Sequence, residues 1–122
     1  MSFRMPAAQG ERDANHQEIV DAYEACLCSV QDLSAVGFGC PDLNVGCGGE
    51  FGANDYVEIK TDHGRLSKSQ ERWIRDWRGP KPRIIRTVDE AIAHAQELRR
   101  RAVMAARRVP RVTAMEASHA TE

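Results

Sequence analysis

Two short runs near the middle of this 122-residue chain carry side chains suited to chemistry, Pro41-Asp42-Leu43-Asn44-Val45 and Tyr56-Val57-Glu58-Ile59-Lys60. Both alternate at the period of a β-strand. Leu43, Val45, Val57 and Ile59 therefore turn toward a core, and Asp42, Asn44, Glu58 and Lys60 turn the other way. Between the runs lie Gly46, Gly48, Gly49, Gly52 and the pair Asn54-Asp55, which read as a hairpin connection. Antiparallel pairing would hold Asp42 and Glu58 close enough to share a divalent cation, with Lys60 beside them. Hard oxygen donors select magnesium or manganese. A cation so placed suits phosphodiester hydrolysis, which needs an activated water, charge relief on the transition state and help for the departing oxyanion. The competing reading of Glu58 and Lys60 is a surface salt bridge worth about 0–1 kcal/mol.

The elements that must position these groups follow from periodicity. Residues 1–12 show none and read as a flexible N-terminal arm. Ile19, Tyr23, Cys26 and Leu27 recur at helical spacing, predicting an amphipathic helix from Asp13 or Asn15 to Cys28. Strands are expected over Val30–Val36, ended by Gly37-Phe38-Gly39, then over Asp42–Val45 and Asp55–Lys60. Ser67-x-x-Gln70 has capping-box spacing and opens a helix with Trp73, Ile74 and Trp77 on its apolar face, stopped by Gly79-Pro80. Arg83–Arg86 is a short fourth strand. Thr87-x-x-Glu90 is a second capping box, starting a helix with an Ala91, Ile92, Ala95, Leu98 stripe that runs to Arg108, with Pro110 beyond its end. The order is αβββαβα, an α/β domain over residues 13–108, followed by a disordered tail at 109–122.

One domain with a single modest core is what this length allows. No apolar run approaches the roughly 18 residues needed to cross a bilayer, and the first residues lack a secretory signal, so the chain is expected in the cytoplasm without a membrane partner. Cys26, Cys28, Cys40 and Cys47 include no C-x-x-C knuckle and are read as reduced, structural thiols in preference to a zinc site. The net charge of −1 conceals a segregation. Residues 1–59 hold 2 Lys and Arg against 10 Asp and Glu, a net of −8, whereas residues 60–122 hold 15 against 8, a net of +7. An acidic half bearing metal ligands beside a basic half bearing phosphate contacts fits a protein that cuts DNA; a solvated basic helix with a disordered tail is the plainer alternative.

Taken together, His16-Gln17-Glu18-Ile19-Val20, Gly39-Cys40-Pro41-Asp42-Leu43, Val57-Glu58-Ile59-Lys60 and Leu66-Ser67-Lys68-Ser69-Gln70-Glu71-Arg72-Trp73 resemble the PD-(D/E)XK nuclease superfamily. The closest branch is the small stand-alone one, with the Holliday-junction resolvases and VRR-NUC domains, and the matching stretch runs from about Asn15 to Ala93. The resemblance implies a restriction-endonuclease-like core of order αβββαβ plus a C-terminal helix, with a mixed central sheet flanked by helices. It implies a metal held by Asp42, Glu58, the Ile59 backbone carbonyl and Glu18, with Mg2+ as cofactor and Mn2+ as a substitute. Lys60 would lie beside the scissile phosphate, and Gln70 would reach the site from the second helix.

Several of these residues have second readings. Glu18 lies three residues after Asn15 and could complete a helix N-cap, while Glu24 flanks the apolar stripe as Glu18 does. Gln70 could serve only its capping box. Arg65, Lys68, Arg72, Arg75 and Arg78 form a basic series suited to phosphates. Trp73 and Trp77 are read as core residues, with stacking on unpaired bases as the second choice. Asn44 stands where the resembled proteins more often carry an aliphatic residue, and the Cys47–Asn54 connection is long. The function expected is a Mg2+-dependent endodeoxyribonuclease acting on branched or structured DNA, as a homodimer whose twofold would set two sites on opposed strands. The alternatives are a nicking subunit of a phage or mobile-element machine, and a catalytically silent DNA-binding or assembly protein of the same fold.

Overall fold

A computed structural model describes residues 14–108, so the N-terminal arm and the C-terminal tail of the sequence reading lie outside the described residues. The chain forms α1 (His16–Ala25), β1 (Ser29–Asp32), β2 (Leu43–Cys47), a short 3-10 turn (Gly49–Phe51), β3 (Ala53–Ile59), α2 (Lys68–Asp76), β4 (Arg83–Ile85) and α3 (Val88–Arg108). The strands make one mixed sheet in the order β1-β2-β3-β4, with the first two pairings antiparallel and β3–β4 parallel. The fold is therefore α/β with the expected element order. No helix among the described residues is long and apolar enough to cross a membrane.

Alternation along β3 builds the two faces of the sheet. Val57 and Ile59 join Leu43, Val45 and Ile85 on the core side, covered by Ile19, Val20 and Tyr23 of α1 and by Ala91, Ala95 and Leu98 of α3. Tyr56 and Glu58 point the opposite way, where α2 stands. Asn44 on that second face accepts from Asn54 and donates to Gln31, forming a polar ladder that explains why an aliphatic residue is dispensable there.

Four expectations need correction. α1 ends at Ala25, short of Cys28, because Leu27 adopts a left-handed φ of 64° while the Leu27 and Cys28 N–H groups bond back to Glu24 and Tyr23. Glycine usually takes that helix-ending position, and its absence hid the stop. β1 ends at Asp32, four residues early: Asp32 Oδ1 accepts from the Ser34 N–H at 2.9 Å and its hydroxyl at 2.5 Å, which bends the chain. The β2–β3 connection is tighter than a loose hairpin loop. Pairing extends to Cys47 and Ala53, and Gly48 packs against α3 so closely that a Cβ there would lie 2.3 Å from Ala102 Cβ. Finally, α2 has no buried residue, so Trp73 and Trp77 are not core residues; Trp77 is 36% exposed.

Candidate functional site

The register of the sheet sets the site. Leu43 pairs with Val57 as the last rung of the β2–β3 ladder, and Asp42 is the residue that leads into it. Asp42 Oδ2 accepts the Ile59 N–H at 2.8 Å, which fixes its carboxylate at the peptide joining Glu58 to Ile59. Lys60 follows immediately, its N–H donating to the Ile85 carbonyl at 3.1 Å and its Nζ 4.0 Å from Glu58 Oε1. The Cys40 thiol lies close by: burial, then the negative charges of Glu58 and Asp42, push its pKa up. Glu58 is only 2% exposed, whereas the sequence placed it on an open strand face. What covers that face is α2.

Gln70 joins helix to sheet. Its Oε1 accepts the Ser67 N–H at 2.8 Å and its own N–H donates to Ser67 Oγ at 3.2 Å, completing the capping box, while its Nε2 donates to Glu58 Oε1 at 3.0 Å. The two readings of Gln70 are thus both realised, by opposite atoms of one amide. The loop before β2 supports this joint. Gly39 has a φ of 78°, and a Cβ on it would fall 2.2 Å from the Ser69 carbonyl oxygen, so only glycine lets the loop lie against the first turn of α2.

Glu18 is exposed and stands apart from the pair. It lines a cleft of about 530 Å³ with Asn15, Thr61, Asp62 and Arg86, whose walls include none of Asp42, Glu58 and Lys60. The cleft is nevertheless at the same end of the sheet, because Asn15 Nδ2 donates to the Lys60 carbonyl at 3.2 Å and the Arg86 carbonyl at 2.7 Å. This removes the capping explanation of Glu18, since the Asn15 side chain makes no cap hydrogen bond to α1. It also leaves Asn15 Oδ1 buried without a donor, at a cost of roughly 1–3 kcal/mol. Glu24 lies at the other end of α1, beside Cys28 and the start of β1, away from the site end of the sheet.

Of the basic series, Arg65, Lys68, Arg72 and Arg78 are exposed and make no ion pair among the described residues, and Arg75 is held by Asp76 at 2.9 Å. Lys81, which the sequence reading passed over, caps the far end of α2 by donating to the Ile74 and Trp77 carbonyls at 2.5 Å each. All four cysteines are free thiols, and burial, then the hydrogen bond with Cys47, pushes the Cys28 pKa up to about 12.

A second polar cluster escaped the sequence reading. Asp55, His94 and Glu97 bring three ligand-type atoms within 4.8 Å of one another, a spacing a metal ion can use. Each partner is already engaged. His94 Nε2 contacts Asp55 Oδ2 at 2.7 Å and Nδ1 contacts the Tyr23 hydroxyl at 2.7 Å, Arg101 binds Asp55 Oδ1 at 2.9 Å, and Arg83 binds Glu97. Ionised Asp55 can only accept, so Nε2 carries a proton, and in the neutral ring that burial favours Nδ1 is then the acceptor for the Tyr23 hydroxyl. Burial and the nearby Arg83 depress its pKa despite the Asp55 hydrogen bond. With two carboxylates neutralised by two guanidinium groups, this network ties α1, α3 and β3 together and leaves little call for a cation. Histidine and glutamate at i and i+3 on a helix were its one legible signal.

Fold and site together define an α/β domain with a mixed four-stranded sheet and, at one end of β3, Asp42 on the Ile59 N–H with Lys60 beside Glu58. No protein-family model, curated protein or solved structure matches the chain.

Proposed function

We propose that this chain is a Mg2+-dependent endodeoxyribonuclease with a restriction-endonuclease-like core of the PD-(D/E)XK type, acting on branched or structured DNA. The observation that carries this reading is the Asp42 carboxylate held by the Ile59 N–H next to Glu58, with Lys60 4.0 Å from Glu58 and Gln70 bonded to it. The donor set fits a hard divalent cation: two carboxylates at one strand junction, one of them buried, with the Ile59 carbonyl as a third oxygen. Mg2+ bound there, or Mn2+ in its place, would lower the pKa of an attacking water and neutralise phosphate charge. The chain's own groups do the rest. The Ile59 N–H and the Gln70 amide hold the two carboxylates in place, and the Lys60 ammonium draws the phosphate to them and offsets charge gained in the transition state. Glu18 lines the neighbouring cleft at the same end of the sheet, and its part in the reaction would be to hold water there. Arg65, Lys68, Arg72 and Arg78 take flanking phosphates.

A homodimer would place two such sites on opposed strands of a junction, whereas a single copy would nick. The test is incubation of the purified protein with a four-way junction, a flap, a duplex and a single strand, each with magnesium, manganese or chelator. Metal-dependent cutting of the branched substrates is expected. Absence of cutting of every substrate with either metal would overturn the nuclease reading and leave a DNA-binding or assembly role.

A further inference from the structure

Next to the carboxylate pair lies an open cleft of about 360 Å³ lined by Phe38, Ser69, Arg72, Trp73, Asp76 and Trp77. One wall is rigid. The Trp73 and Trp77 rings stack at 4.8 Å and 12°, and Tyr56 braces both edge-on from the sheet at 5.3 and 5.2 Å. Phe38 also lines the cleft, 95% exposed, at a left-handed φ of 58° between two glycines of positive φ. Of the three only Phe38 is strained there, since glycine adopts positive φ freely. The contact of Gly39 with Ser69 holds that loop on α2, so Phe38 projects beside the tryptophans from an anchored base. The tryptophans pack on Tyr56 of the sheet and keep part of their surface open, whereas Phe38 is almost wholly exposed.

We infer that this cleft receives an unpaired base of a DNA strand, stacked between Phe38 and the tryptophan pair, with the adjoining phosphates on Arg72 and its neighbours. Charge selects this occupant over an apolar peptide: from Arg65 to Arg78 five basic residues stand against two acids, and Asp76, the acid in the lining, is already paired with Arg75. A base has a flat face for the rings and carries its own anion on either side, whereas the bases of an intact duplex bury those faces. The cleft is also joined to the carboxylates. The loop contributes Phe38 to one and Cys40 to the other, and α2 contributes Ser69 to one and Gln70 to the other. The inference therefore deepens the nuclease reading, naming strands with unpaired bases as its substrates, although binding in the cleft requires no metal.

The experiment uses the full chain in chelator with three fluorescent probes: a single-stranded oligothymidine, an abasic strand with the same number of phosphates, and a blunt duplex. Oligothymidine is expected to bind about 10-fold more tightly than the abasic strand, the scale of one stacked base, and to quench tryptophan emission. Phe38→Ala should lose that preference while holding its affinity for the abasic strand. An exposed side chain has no packing to lose, so folding is not at stake in this variant. Trp77→Ala, checked by circular dichroism, should do the same, and Arg72→Gln should weaken both strands and shallow the salt dependence by about 0.7. Equal affinity for oligothymidine and the abasic strand, or an unaltered preference in Phe38→Ala, overturns the inference. Base preference without cutting of any substrate in magnesium sinks the nuclease reading alone, and cutting without base preference sinks this one alone.

Discussion

Glu58 and Gln70 meet across the gap between sheet and helix: Gln70 Nε2 donates to Glu58 Oε1 at 3.0 Å while Oε1 of the same amide accepts the Ser67 N–H at 2.8 Å. The first turn of α2 and the carboxylate pair are therefore mechanically coupled through one side chain. Loosening the helix end should disturb the site, and altering Glu58 should be felt at the helix end.

This coupling can be measured as a double-mutant cycle. Gln70→Ala loses both bonds and should cost about 0.5–2 kcal/mol, the range of lost caps. Gln70→Glu keeps an acceptor for Ser67 but sets a second carboxylate against Glu58, so it should be less stable than the parent at neutral pH and recover on acidification, as one of the two takes a proton. Adding Glu58→Gln should remove that penalty. Strictly additive effects in denaturant titrations would show that the two residues do not interact.

Asp42→Asn and Glu58→Gln should each reduce single-turnover cleavage by at least about 100-fold and leave DNA affinity nearly unchanged, since the phosphate contacts proposed above lie on α2 and its flanks. Lys60→Ala should be milder, because the carboxylates remain. Cleavage at parental rates in both carboxylate variants would end the assignment of the pair.

Glu18→Gln should depress cleavage and raise the magnesium requirement without moving the melting temperature, because Asn15 spends its side chain on the Lys60 and Arg86 carbonyls and Glu18 has no cap to support. Glu24→Gln should be silent in both assays, being at the far end of α1. The reverse pattern would transfer the role to Glu24.

Acid should destabilise the fold in two stages. Burial, helped by Arg83, holds His94 below its ordinary 6.5, so between that value and its folded pKa the unfolded chain binds the extra proton and stability falls as pH drops. Asp55 follows at lower pH. Burial pushes its pKa up, but Arg101 and His94 outweigh burial and hold it below 3.8, so its contribution is present above that value and is lost as pH falls through the folded pKa. Urea midpoints should begin to fall once pH passes below about 6.5. A His94 imidazole resonance titrating at or above 6.5 would contradict the buried neutral ring.

The element order and the two capping boxes were legible in the sequence, because they rest on local signals: alternation at period two, helical spacing, and side chains that bond backbone three residues away. α3 reaches Arg108 as its stripe and cap predict. The end of α1 was not legible, since Leu27 occupies a position that glycine usually marks, nor was the end of β1, which depends on an Asp32–Ser34 turn inside an otherwise strand-like run.

What only the tertiary structure decided is what each local face meets. Alternation put Glu58 and Lys60 on one side of β3, but whether that side faces solvent depends on where α2 docks, and α2 buries Glu58 without burying its own tryptophans. Asp55 read as a turn residue because its partners, His94 and Arg101, lie 39 and 46 positions away. Glu18 and Glu24 were equivalent by helical angle, and the Asn15 bonds to the Lys60 and Arg86 carbonyls separated them by docking one end of α1 at the site. Spacing along a chain determines which residues share a face, whereas long-range contacts determine which faces share a volume.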